Sequence, residues 1–188
     1  GVLWGTALAA SHWLCSARAA FWARRRTVLE LGSGTGVLGL AAAARGCDVT
    51  LTDQRALLPL LRRNAEANAR VIAAAGGRAR AAELDWSRAE SAALAAALAP
   101  DLVLCSDLVY GNDYLPLLGL LDELASRASK PLDILWGFEE RSDRYPSPGL
   151  AEALERRFDV RPCALPDEHA RRYPRTHLAW LAKPARVR

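Results

Sequence analysis

The sequence predicts an α/β fold: a doubly wound, mostly parallel sheet of seven strands, with helices on both faces and an antiparallel hairpin at one edge. Three observations lead there. Short apolar, β-branched runs alternate with helical stretches of ten or more residues, the order that builds βαβ units. The first such run, Val28 to Leu31, breaks on the alternating glycines Gly32, Gly34 and Gly36 and restarts as an alanine-rich helix. The last two strand-like runs follow one another with no helical pattern between them, as a hairpin requires.

Taken in order, Thr6 to Arg24 is rich in Ala, Leu and Trp and predicts a helix; residues 1–26 are expected to form a helical lid on a core of 27–188, the whole chain being one domain. Thr27 to Leu31 is a short strand. Thr35 to Arg45 is a helix stopped by Gly46. Asp48 to Thr52 alternates and is β-branched, hence a strand. Leu57 to Ala75 is a long helix ended by Gly76 and Gly77. Ala79 to Leu84 is a strand, and Ser87 to Leu98 a helix with Ser87 as its N-cap. Leu102 to Cys105 is a buried strand, Asp113 to Ala128 a helix and Leu132 to Phe138 another strand. Gly149 to Arg157 is helical, and Phe158 to Leu165 and His177 to Ala182 form the closing hairpin.

The chain has 188 residues, 51% apolar and 24% charged, in the range of an ordinary globular domain. No apolar run is long enough to span a membrane, and His12, Ser16 and Arg18 interrupt the only candidate for a signal peptide. There is no Met, even at position one, so the chain reads as a domain cut from a longer product. The net charge is +4, carried by Arg, since Lys130 and Lys183 are the two lysines. The clusters Arg24-Arg25-Arg26, Arg62-Arg63 and Arg171-Arg172 read as solvated helix ends and loops, or else as a docking surface for an acidic partner. Cys15, Cys47, Cys105 and Cys163 form no C-x-x-C pair, so neither zinc nor a disulfide framework is indicated and a reducing compartment is the simplest. His12, His169 and His177 show no catalytic or metal-type spacing.

Ligands of such sheets bind beyond the carboxyl ends of the strands, near the point where strand order reverses. After the first strand stands Glu30-Leu31-Gly32-Ser33-Gly34-Thr35-Gly36, a loop that lets a ligand approach the backbone closely. It lacks the Lys of a phosphate-cradling loop, and the residue three after Gly34 is Val37, not the Gly of a dinucleotide loop. Asp53, about twenty residues further on, can accept both hydroxyls of a ribose or can cap the next helix. Trp86 offers a flat surface for a purine or belongs to the core. Ser106-Asp107-Leu108-Val109-Tyr110 puts a carboxylate and a phenol where a substrate meets a cofactor.

These residues together resemble the class I, seven-β-strand methyltransferases that use S-adenosylmethionine, a Rossmann-like fold. More narrowly they resemble the methyltransferase-like protein-lysine methyltransferases (methyltransferase family 16). The matching stretches are Leu3 to Ala7, Val28 to Gly36, Leu51 to Asp53, Leu61 to Asn64 with Asn68, Leu84 to Trp86 and Ser106 to Tyr110, in family order over residues 3 to about 120; Gly137 to Arg141 is a looser match. The resemblance implies an S-adenosyl-L-methionine cofactor. Gly32, Ser33 and Gly34 would back its methionine part, Asp53 hold its ribose and Trp86 lie beside its adenine. Ser106 would contribute backbone near the same moiety, Trp4 would close over the site, and Glu30 belongs with this cofactor-binding set. Asp107 and Tyr110 begin and end the substrate-facing D-x-x-Y motif and are the expected catalytic pair.

Methyl transfer is an in-line displacement that needs mainly positioning, not a metal or a covalent nucleophile. A target lysine arrives mostly as ammonium (reference pKa ~10.4), so Asp107 is expected to bind and orient it, with proton loss to water and Tyr110 as acceptor or orienter. The expected partner is a protein carrying a target lysine, such as a chaperone or translation component, in the cytoplasm. Other readings stay open: a nucleic-acid or small-molecule methyltransferase, disfavoured for bases by the missing N-P-P-Y tetrapeptide; an NAD-dependent oxidoreductase; or a non-catalytic scaffold that keeps the pocket.

Overall fold

The computed structural model describes residues 2–16, 26–88, 90–109, 113–141 and 149–183. Seven strands form one sheet: β1 (Thr27–Leu31), β2 (Asp48–Asp53), β3 (Arg78–Glu83), β4 (Leu102–Ser106), β5 (Asp133–Glu139), β6 (Asp159–Cys163) and β7 (Thr176–Ala182). Their order is β3-β2-β1-β4-β5-β7-β6. The first five are parallel; β7 runs antiparallel to both β5 and β6. The mixed, mostly parallel sheet with its antiparallel edge is the architecture the sequence predicts. β1 is central because its TVLEL run is apolar on both faces: Leu29 and Leu31 join one core, Val28 the other.

Helices cover both faces. On one lie α4 (Ser91–Ala97), α5 (Leu115–Arg127) and α6 (Leu150–Glu155), which bring Ala95, Leu117, Leu121 and Leu154 against Leu29 and Val103. On the other lie α1 (Gly5–Ser16), α2 (Val37–Ala43) and α3 (Leu58–Ala74), which bring Leu14, Leu38, Ala42 and Leu61 against Val49 and Leu104. Pro59 and Pro116 stand in the first turns of α3 and α5, where a missing N–H costs nothing.

Four details differ from the sequence reading. The N-terminal helix is described over Gly5–Ser16, and residues 17–25 lie outside the described set. The helix expected as a lid packs its small face, Thr6, Ala9, Ala10 and Leu14, into the core. Second, a short helix, α7 (Asp167–Arg172), intervenes between the last two strands. Its sequence DEHARR has no apolar periodicity to read; acidic residues in its first turn and basic ones in its last suit the helix dipole. Third, Ser87 caps no helix: its hydroxyl donates to Asp85 Oδ1 (2.6 Å), and α4 begins only at Ser91. Fourth, Arg26 is not solvated but buried. Its Nη1 donates to Asp133 Oδ2 (2.8 Å), and Thr27 N–H donates to Asp101 Oδ2 (3.0 Å), which staples the amino ends of β1, β4 and β5.

α2 lies unusually close to the sheet. A Cβ at Gly39 would stand 2.4 Å from Leu51 Cδ2 and 2.6 Å from Glu30 Oε2. Gly39→Ala is therefore expected to lower the unfolding free energy by ~2 kcal/mol, although Ala outranks Gly in helices by roughly 1 kcal/mol. Urea denaturation checks this; an unchanged or raised midpoint would show that α2 lifts off the sheet without strain.

Candidate functional site

The chain builds β1, β2 and β3 outward in one direction and then returns to place β4 and β5 on the other side of β1. Strand order reverses between β1 and β4, and their carboxyl ends diverge there. A cavity of about 400 Å³ opens at that point, within the range of small-molecule sites. Trp4, Glu30, Gly32, Ser33, Gly34, Asp53, Trp86, Ser106 and Asp107 all border it. Tyr110 lies outside the described residues. Gln54, Leu57 and Leu108 border the cavity too and carried no sequence signal beyond their neighbours' motifs.

The glycine loop is laced to β2. Ser33 N–H donates to Thr52 O (2.8 Å), Gly34 N–H to Asp53 Oδ2 (2.8 Å) and Thr52 Oγ1 to Glu30 O (2.6 Å). Asp53 Oδ1 accepts from Gln54 N–H (2.7 Å). Asp53 thus organises the loop and does not cap a helix. Each carboxylate oxygen has two lone pairs, so both can accept a second hydrogen bond from a ligand hydroxyl.

Gly32 stands in the left-handed region (φ +54°), and a Cβ there would lie 2.6 Å from Leu108 Cδ2 and 3.1 Å from Trp86 Cη2. Without a side chain at 32, Trp86 and Leu108 close against the loop. Trp86 is half-buried and packs on the core while still bordering the cavity. At Gly34 (φ +55°) a Cβ would meet nothing within 4 Å, which leaves a cradle at backbone level.

Beneath the loop, the Glu30 carboxyl is buried. Gly36, which precedes α2, has no side chain to cap it; the Gly39 N–H in the helix's first turn faces the Glu30 carboxyl instead. Burial pushes this carboxyl up from 4.5 to about 8, against the opposing pull of the Ser33 hydroxyl and the Gly39 N–H. Glu30 Oε2 and Ser106 Oγ are buried and make no hydrogen bond among the described residues. Both residues border the cavity, so a ligand's polar groups would find unsatisfied partners there.

Asp107 follows β4 in a left-handed conformation (φ 60°), tolerable for Asp. Its N–H donates to Gly137 O (2.8 Å), and its Oδ1 accepts from Glu139 N–H (3.4 Å). Its Oδ2 is paired with Arg141 Nη2. That pairing was not expected: Arg141 sits in the loosely matching stretch after β5, far from Asp107 in sequence.

The glycine cradle, the Asp53 carboxylate and the Trp86 indole thus border one cavity at the switch point. The family model described as lysine methyltransferase matches residues 1–147. The chain is 37% identical over 119 residues to mouse (Mus musculus) EEF1A lysine methyltransferase 3, covering 62% of this chain and 46% of that protein. It is 35% identical to zebrafish (Danio rerio) protein N-lysine methyltransferase METTL21A, over 72% of this chain and 58% of the relative. It is also 35% identical to yeast (Saccharomyces cerevisiae) protein-lysine N-methyltransferase EFM6, over 72% and 57%. The chain thus spans about half the length of these relatives. The fold is similar to that of magnesium protoporphyrin IX methyltransferase from Synechocystis PCC 6803, with a TM-score of 0.63 at 17% identity over 95% of this chain and 78% of that one.

A raised Glu30 pKa makes stability pH-dependent. The folded state holds a proton that the unfolded chain releases near 4.5, so this contribution is fully present below that value and is lost as pH rises toward about 8. The span corresponds to ~5 kcal/mol. Glu30→Gln is expected to flatten the profile between pH 5 and 8 and to be more stable than the parent at pH 8. Parallel slopes for the two proteins would rule out Glu30 as the cause.

Proposed function

Because the chain belongs to the lysine methyltransferase family, we propose that it binds S-adenosyl-L-methionine in this cavity and methylates a lysine side chain of a protein substrate. The observation that carries the reading is the convergence at one switch point of a ribose-type carboxylate, Asp53, and an acceptor-type carboxylate, Asp107. The cofactor, when bound, supplies an electrophilic methyl group on a sulfonium.

The chain's own residues position the reactants. Asp53 accepts the ribose hydroxyls while keeping its hold on Gly34 N–H. Trp86 supplies an apolar face for the adenine, and Ser106 borders the same space. Gly32, Ser33 and Gly34 present backbone to the methionine part, over the Glu30 carboxyl. A cationic ligand beside Glu30 favours its ionised form and opposes the burial that keeps it protonated. Trp4, 44% exposed, walls the opening from the N-terminal side.

Asp107 binds and orients the lysine amine. The amine attacks only after losing its proton, and that proton passes to water, with Tyr110 as acceptor or orienter. The mouse relative is named for lysine methylation of EEF1A, which supports a protein lysine as the acceptor here.

Calorimetric titration with S-adenosyl-L-methionine, NAD and ATP tests the cofactor assignment. The sulfonium nucleoside alone is expected to bind, and Asp53→Ala to weaken it at least tenfold. Absence of binding by the parent chain would sink the proposal. For the acceptor side, Asp107→Asn is expected to keep cofactor affinity and to lose at least 100-fold in labelled-methyl transfer to recombinant elongation factor 1A. Loss of cofactor affinity in that variant would place Asp107 in the cofactor site instead.

A further inference from the structure

The carboxylate expected to receive a substrate amine already carries a cation from its own chain. Arg141 Nη2 is paired with Asp107 Oδ2, and the same nitrogen lies 3.3 Å from Glu139 Oε2. The Arg141 guanidinium carbon stands 4.7 Å from the centre of the Trp4 ring. Two carboxylates and an aromatic face therefore surround one cationic group, an environment that selects positive nitrogen. Asp107 and Trp4 both border the cavity.

The two members of the pair are held very differently. Asp107 is fixed by its backbone: its N–H is bonded to Gly137 O, its Oδ1 receives Glu139 N–H, and its side chain is 2% exposed. Arg141 reaches the same point on a long side chain that is 30% exposed, and it also touches Glu139 and Trp4. A guanidinium has five donors, so it can stay bonded to Glu139 after releasing Asp107. Glu139 is itself balanced on its other oxygen by Arg175 at 3.7 Å.

Resting on the methyl-transfer reading, we propose that Arg141 is the resident cation of the acceptor position and a specificity-determining residue. A substrate ammonium takes its place on Asp107 while Arg141 shifts onto Glu139 and the Trp4 face. The exchange replaces one cation by another, so the buried Asp107 carboxylate is paired at every stage. Removing the cation from a buried carboxylate without replacing it is strongly destabilising. A hydroxyl or another neutral acceptor brings no charge to offset the loss of Arg141 and does not displace it. Selectivity for amines over neutral acceptors then follows from the competition, without a shape filter.

The probe is n-butylammonium, a lysine side chain without its backbone, with n-butanol as the neutral control. Both are titrated into the chain and into Arg141→Gln and Arg141→Ala, followed by the amide resonances of Asp107 and Glu139 and the Trp4 indole. Butylammonium is expected to bind both variants at least tenfold more tightly than the parent, and butanol to bind none of them. Variants that fold and bind S-adenosyl-L-methionine as the parent does, yet gain no affinity for butylammonium, would overturn the proposal. So would loss of the fold in both variants, which assigns Arg141 a purely structural role. The titration needs no cofactor, so a parent chain that fails to bind S-adenosyl-L-methionine would count against the methyl-transfer reading and leave the outcome for Arg141 separately readable.

Discussion

The bond from the Gly34 amide to the Asp53 carboxylate, 2.8 Å long, ties together the two strand ends on which the cavity depends. Parallel pairing of β1 with β2 brings Glu30 level with Leu51 and the glycine loop level with Thr52 and Asp53. The loop then turns through three left-handed glycines; Gly36 N–H donates to Ser33 O within it, while the Ser33 and Gly34 amides look to β2. Ser33 takes Thr52 O and Gly34 takes Asp53, so the loop is held open as a cradle instead of collapsing onto the sheet. Trp86 and Leu108 close against Gly32 only because the cradle stands where it does.

The two ends of the sheet are treated differently. At the amino ends, polar groups are satisfied: Arg26 with Asp133, Thr27 N–H with Asp101, and the Trp180 indole N–H donating to Asp133 Oδ1 at 3.3 Å. At the carboxyl ends, Glu30 Oε2 and Ser106 Oγ are buried without hydrogen bonds among the described residues. Burying an unsatisfied polar group costs roughly 1–3 kcal/mol, more for a charge. Ion pairs stand at both ends, but the unsatisfied Glu30 and Ser106 atoms lie at the carboxyl end, where a polar ligand would complete their bonding.

Charge is arranged with the same economy around Asp107. The Asp107 carboxylate is buried, and Arg141 is paired with it. The contact from Arg141 to Trp4 joins the surroundings of Asp107 to the N-terminal wall of the cavity.

The strands, the glycine loop and the strand-end residues Asp53, Trp86, Ser106 and Asp107 were legible in the chain because they depend on short-range rules, whereas Trp4 and Glu30 were marked by the family resemblance. A period of two or of 3.6 marks a strand or a helix, glycine marks a positive φ, and the residue after a parallel strand lies at the ligand edge. What depends on long-range proximity was not legible. No local pattern tells that Arg26 meets Asp133, 107 positions away, or that Arg141 meets Asp107. His12 and His169, unremarkable by spacing, stack with ring centres 4.2 Å apart because α1 and α7 meet. α7 itself has no apolar stripe to betray it. Local periodicity sets which face of each element is apolar and so the order of layers. Which charge answers which is decided only when the sheet assembles, because Coulomb attraction depends on distance in space and not on separation along the chain.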